Sequence, residues 1–170
     1  MLHAIIGGIC RSTDKPRIEF DHEDNRFYIQ VTDEDQGRAI GKKGKTIWAI
    51  TTLVWYAGVS NCKQLIGIVL DDPVDTGKVK PSVAFKANRN WDRKIITNLT
   101  EIILSTVMKE RVVPWAMEER GLTDAIVRVQ MDRYLQTPMI DPSFEEAFTT
   151  VIHSCGMAGG ASINTEFEWK

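Results

Sequence analysis

Gln36-Gly37-Arg38-Ala39-Ile40-Gly41-Lys42-Lys43-Gly44-Lys45-Thr46-Ile47 sets two glycines around two lysines and runs on into an apolar segment. Such a string makes a backbone that can approach a phosphate. Glycine has no Cβ, so the chain bends sharply and a sugar-phosphate can lie against it, while the amides opening the next helix present the positive end of its dipole. Lys42, Lys43 and Lys45 add charge. Ahead of the stretch, Phe27, Ile29 and Val31 alternate with Tyr28, Gln30 and Thr32, as a half-buried strand requires. Behind it, Ile47, Ile50, Leu53, Val54 and Ala57 recur at three and four residues, one helix face, and Gly58 is placed as a stop.

Further outward, Leu2, Ile5, Ile6 and Ile9 predict a short helix over residues 1–11. Residues 17–23 predict a strand joined to residues 26–32 by a tight turn at Asp24-Asn25, and residues 33–39 a short helix opening on Asp33. Residues 64–70 are nearly all apolar and predict a third strand, covered on both faces or central in its sheet. Asp71-Asp72-Pro73 ends that strand, and residues 73–84, with two prolines, predict a connection between two domains.

Ile40-Gly41-Lys42-Lys43-Gly44-Lys45-Thr46-Ile47 resembles the Ile-Gly-x-x-Gly loop of a KH domain, a clamp for about four nucleotides of single-stranded nucleic acid. The expected order of helix, strand, strand, helix, loop, helix, strand over residues 1–72 is similar to that of the bacterial type II KH fold. Residues 31–47, followed by Ala49-Ile50 and Leu53-Val54, resemble the small bacterial KH proteins that act as RNA chaperones. The resemblance implies an α+β fold with helices on one face of a three-stranded sheet. It implies that Gly37, Arg38, Ile40, Gly41, Lys42, Lys43, Gly44, Lys45, Thr46 and Ile47 hold single-stranded mRNA or rRNA, with no cofactor, metal or catalysis. The setting it implies is cytoplasmic RNA metabolism, translation or transcription, in a chaperone or assembly role.

The second half repeats the first at an offset of 98 residues: Ala49-Ile50-Thr51-Thr52-Leu53-Val54 corresponds to Ala147-Phe148-Thr149-Thr150-Val151-Ile152, and Gly58 to Gly156. At the same offset Ile29 and Val31 fall on Val127 and Val129, and Leu65 and Val69 on Ile163 and Phe167. Residues 85–170 are therefore expected to form a second, degenerate KH-like unit: a helix over 95–108, strands over 112–117, 125–131 and 161–169, and a helix over 143–155 after Asp141-Pro142. Met139-Ile140-Asp141-Pro142 replaces the glycine loop, so no second phosphate clamp is expected. Two such units also resemble the tandem KH part of the NusA transcription factors.

Charge is distributed unevenly. The net charge is −2, but residues 73–109 carry 7 basic and 3 acidic side chains, and residues 110–170 carry 5 and 10. Lys86, Arg89, Arg93 and Lys94, set around Phe85 and Trp91, form a secondary candidate for RNA contact, since rings stack on bases while cations meet phosphates. The acidic second half would repel a nucleic-acid backbone. Its expected role is to pack, on the first unit through Trp48 and Trp55 or on a partner chain, including a homodimer, through Trp115, Met117 and Trp169. Burial of Trp48 and Trp55 is preferred over base stacking, and residues 1–80 alone are expected to keep the RNA chemistry at lower stability or solubility.

Rival readings are weaker. Gly44-Lys45-Thr46 and Asp71 imitate the two motifs of a P-loop ATPase, but a P-loop follows directly from a buried strand, and here Asp33-Glu34-Asp35-Gln36 intervenes. A protein-interaction scaffold on the ribosome or RNA polymerase is the third reading. Cys10, Cys62 and Cys155 have no paired spacing, and His3, His22 and His153 supply no ligand pair near them, which fits a reducing compartment without zinc. His153 and Cys155, two apart on a helix, point to different sides as a flank and a core residue. The chain start has no basic segment and too short an apolar run for a signal peptide or a membrane span.

Overall fold

A computed structural model describes residues 1–11, 15–62, 65–71, 92–109, 113–131 and 142–170. The opening apolar period forms α1 (Leu2–Ile9), with Leu2, Ile5, Ile6 and Ile9 all buried. The alternating stretches form β1 (Arg17–Asp21) and β2 (Arg26–Gln30), joined by a turn at residues 22–25 in which Asn25 adopts φ 53°. The next helix, α2 (Asp33–Ile40), places Asp33, Glu34 and Asp35 in its first turn, where acids offset the helix dipole. One 3-10 turn (Lys42–Gly44) separates it from α3 (Lys45–Cys62), and β3 (Gly67–Leu70) follows.

The second half opens with α4 (Arg93–Met108), capped by the Asp92 carboxylate, which accepts the Lys94 backbone N–H at 2.9 Å. Then come β4 (Trp115–Glu119), β5 (Asp124–Met131), α5 (Pro142–Gly159) and β6 (Ser162–Trp169). Proline at the first position of α5 is tolerated because that N–H has no partner inside the helix.

The class is α+β, with two three-stranded sheets of orders β1-β2-β3 and β4-β5-β6. In each, the first pair is antiparallel and the second parallel. The strand expected to be central or covered on both faces, β3, lies instead at an edge, and all four of its residues are half-buried. It starts later than expected because Gly67 pairs with Arg26, the first residue of β2, so residues ahead of it face no strand.

Burial reproduces the sequence repeat in the helices: Ala49, Ile50, Leu53 and Val54 are buried, and so are Ala147, Phe148, Val151 and Ile152, 98 residues later. The last strands break that offset. Arg26 pairs with Gly67 in the first sheet and Asp124 with Ser162 in the second, so β6 follows β3 at 95 residues, and Ile163 corresponds to Ile68 rather than Leu65. Neither Gly58 nor Gly156 stops its helix; both lie inside and are buried. A Cβ on Gly156 would meet the Ile163 side chain and come within 3.1 Å of the Ala161 carbonyl, so this glycine serves the close approach of β6 to α5.

Both halves share one continuous hydrophobic core. Helix α3 lies on α5, α1 packs against α5, and α4 packs against α3, a reciprocal arrangement that seats each half's helices on the other's. Tyr56 of α3, 1% exposed, meets Phe144 of α5 edge-on at 5.6 Å, and its hydroxyl lies 3.0 Å from the Ser143 hydroxyl. Cutting a ring of this kind back to alanine costs about 3–5 kcal/mol. The Asn61 amide donates across the junction to the Thr106 carbonyl at 2.8 Å.

Candidate nucleic-acid interface

The glycine loop joins two helices. At the end of α2, Gly41 adopts φ 73°, ψ 175°, and its N–H donates to the Gly37 carbonyl at 2.9 Å. A side chain there would lie 2.7 Å from Thr46 Cβ and 2.9 Å from the Thr46 nitrogen, so close approach and backbone angles both require glycine. Lys43 follows in the left-handed region at φ 57°, ψ 30°, and Gly44 at φ 76° turns the chain into α3. That reversal carries Lys42, Lys43 and Lys45 outward, and all three are exposed. Among the described residues none of them enters an ion pair. The 3-10 turn runs directly into α3, with the Gly44 N–H donating to the Gly41 carbonyl and the Lys45 N–H to the Lys42 carbonyl, so the positive end of the α3 dipole opens beside these cations.

The other expected contact residues divide. Ile40 is 38% exposed at the loop edge, and Gly37 is exposed on α2. Ile47 is half-buried against the core, and Thr46 is buried beneath Gly41, its hydroxyl 3.3 Å from that of Ser154 on α5. Arg38 turns back along α2, where its guanidinium donates to Asp35 at 2.7 Å.

Asp35 is the residue that sequence reading missed. It sits in an acidic run that looks solvated, yet it is 1% exposed. Its carboxylate accepts the Arg11 backbone N–H at 2.9 Å, the Arg38 guanidinium, and the Thr32 hydroxyl at 3.4 Å. The Arg11 side chain continues across the junction, donating to the Ala158 carbonyl at 2.8 Å and the Met157 carbonyl at 2.9 Å near the end of α5. A groove of about 420 Å³ lies between the loop and α5, lined by Arg11, Arg38, Lys42 and His153 among others. Two of those cations are spoken for within the fold, so the free charge belongs to the loop lysines.

Of the secondary candidates, Lys86 and Arg89 lie outside the described residues, as do the connection at 73–84 and residues 139–141. Arg93 begins α4 and pairs with Glu119 at 3.3 Å, and Lys94 is exposed beside it. The P-loop reading meets a helix, α2, where it needs a strand, and a buried Thr46 where it needs a metal-facing hydroxyl. Asp71 donates its N–H to the Ile29 carbonyl at the end of β3. Among the described residues no cluster of His, Cys, Asp and Glu could hold a metal ion, and no helix is long and apolar enough to cross a membrane.

Cys155 is buried and His153 exposed, as their helical spacing predicts, and burial pushes the Cys155 thiol far above its usual range. Trp48 and Trp55 are not buried against the second half, the first of the two covers expected for them. They are 41% and 37% exposed, because α3 meets α5 through the neighbouring ridge that carries Ala49, Leu53 and Tyr56. Trp115 and Met117 are partly buried against the core, and Trp169, at the end of β6, donates its indole N–H to Glu145 at 3.0 Å. No family model matches the chain, and no curated protein sequence matches it.

Proposed function

We propose that the protein binds single-stranded RNA through the Gly41–Gly44 loop, as a KH-type clamp carried by the first half, with the second half a degenerate KH-like unit that braces it. The observation that carries this reading is the loop itself: a helix-loop-helix turn with Gly41, Lys43 and Gly44 at positive φ and three exposed lysines outside any ion pair among the described residues. The element order and the mixed sheets of both halves accord with it. A strand of phosphates meets the lysine ammonium groups at the positive end of the α3 dipole, while Ile40 offers an apolar edge to a base. The setting is cytoplasmic RNA metabolism, translation or transcription, in a chaperone or assembly role.

The test is binding of a fluorescent single-stranded RNA to the intact chain across a salt series. Lys42→Asp with Lys43→Asp should abolish binding and leave the fold intact, since both side chains are exposed. Single replacements by alanine should each flatten the dependence of log affinity on log salt by about 0.7, the contribution of one phosphate contact on a single strand. Full affinity in the folded double variant would end the KH reading. ATP hydrolysis that disappears with Lys45→Ala would put a nucleotide in the strand's place.

A further inference from the structure

We infer that the RNA-binding surface continues past the loop along one side of α3, where Trp48 and Trp55 stack two further bases of the same single strand. This extension rests on the loop reading given above.

Lys45, Trp48, Thr52 and Trp55 follow one another at three, four and three residues, which is a single stripe of an α-helix. It begins with a loop cation and runs about 15 Å along the axis at about 1.5 Å per residue. Both indoles border a cleft of about 660 Å³ between α3 and the residues leading into β3, with Leu65 and Ile66 on the facing wall and Arg26 at its margin. Leu65 is 67% exposed, so two large rings and a leucine stand open together at one place.

The Trp55 ring is held in place. Trp55 contacts Tyr56 edge-on at 5.0 Å, and Tyr56 is fixed in the core by Phe144 and Ser143. The Thr51 and Thr52 hydroxyls both donate back to carbonyls four residues earlier, to Ile47 and Trp48 at 2.9 Å. The cleft side of α3 therefore presents faces for stacking more than groups for reading base edges, and the stacking should be tolerant of sequence. Charge selects the occupant: the stripe leads out of the cluster Lys42, Lys43 and Lys45, which draws a polyanion, and Arg26 stands at the cleft with Asp24 the one acid lining it among the described residues. A single strand matches both properties, with cations along its backbone and flat rings beneath its bases.

The experiment compares two single-stranded RNAs on the intact chain: one of about four nucleotides, the length one KH loop holds, and one of twice that length. Trp48→Ala with Trp55→Ala should weaken the longer RNA about tenfold or more, in line with the loss of stacking, and leave the shorter one unchanged. Trp48→Phe with Trp55→Phe should restore most of the loss. On the unaltered protein, the longer RNA with abasic sugars in the half beyond the loop should bind about as weakly as the intact RNA binds the alanine variant. Equal affinity of the abasic and intact strands would overturn the track, as would unchanged binding of the longer RNA to the alanine variant. Self-association lost in the alanine variant with RNA affinity intact would assign the face to a second copy of the chain and overturn it too. Lys42→Asp with Lys43→Asp separates the two readings: if it removes binding of both lengths while the tryptophan changes do nothing, the clamp stands and the track falls. If both lengths still bind, the clamp itself falls.

Discussion

The two halves solve the same packing problem and differ in the sequence that leads into their long helices. Helices α3 and α5 bury equivalent positions, each backed by a sheet of the same order and pairing, and each seated on the other. Ahead of α3 stands a helix ending in a glycine turn that exposes three lysines; α5 instead opens on Pro142. Net charge differs little between the halves, at −1 over residues 1–72 and −2 over residues 85–170, but its placement differs, since residues 110–170 of the second half alone carry −5. The outer strands of that half tie up much of their charge locally: Arg128 holds Glu118 and Glu166, and Arg120 lies 3.5 Å from Glu118. The comparison teaches that a framework can be duplicated while an exposed glycine-lysine loop stays single, because the core and the loop draw on separate residues.

The sharpest way to break this comparison is to separate the halves. Because Tyr56, Leu53 and Ile50 are buried in a core that includes Phe144, Phe148 and Val151, residues 1–80 alone should lose their cooperative unfolding transition or self-associate. Circular dichroism in urea and sedimentation on the fragment and on the intact chain check it. A monomeric fragment as stable as the whole would mean that the shared core is dispensable.

A smaller effect belongs to Gly41→Ala. The φ of 73° with ψ of 175° is a region open almost only to glycine, and the new methyl would strike Thr46. A loss of about 1–3 kcal/mol is expected from the strain alone, with RNA binding falling further than stability as the turn reshapes. A denaturation midpoint and a binding curve on the same preparation separate the two losses.

The smallest effect is a pH dependence in the second half. Glu118 is held below its ordinary carboxylate range by hydrogen bonding and attraction to Arg128, with a lesser pull from Arg120. A lowered folded value means that the contribution is present above the unfolded pKa, near 4.5, and is lost as pH falls through the lower folded one. Glu118→Gln should therefore move the unfolding midpoint slightly at pH 7 and not at all at the acid end of that window. The site is exposed, so the shift at pH 7 should sit at the edge of measurement.

Much of this framework is written in local periods. Leu2, Ile5, Ile6 and Ile9 mark α1, Phe27 to Thr32 mark β2, and the matched runs at 49–54 and 147–152 mark the duplicated helices, since burial on one face imposes its spacing on the residues. What escaped is relational. The acidic run at 33–35 has the composition of a solvated turn, and only the arrival of Arg11 from α1 makes Asp35 a buried acceptor. Trp48 and Trp55 read as core by size, yet the ridge chosen by α5 leaves them at the side of the contact. Gly58 and Gly156 read as helix stops, whereas at Gly156 the missing side chain answers to β6, a strand the helix itself does not foreshadow.

The Asp35 carboxylate has a mechanical meaning. It accepts the Arg11 N–H, and the Arg11 guanidinium reaches two carbonyls in the last turn of α5, so the first turn of α2, the helix that leads into the lysine loop, is tied to the far half through one residue. Under the proposed RNA-binding reading, a helix start held this way leaves less ordering entropy to lose when a strand binds. On the proposed clamp, the second half works as an anvil whose stiffness sets how firmly the loop is held.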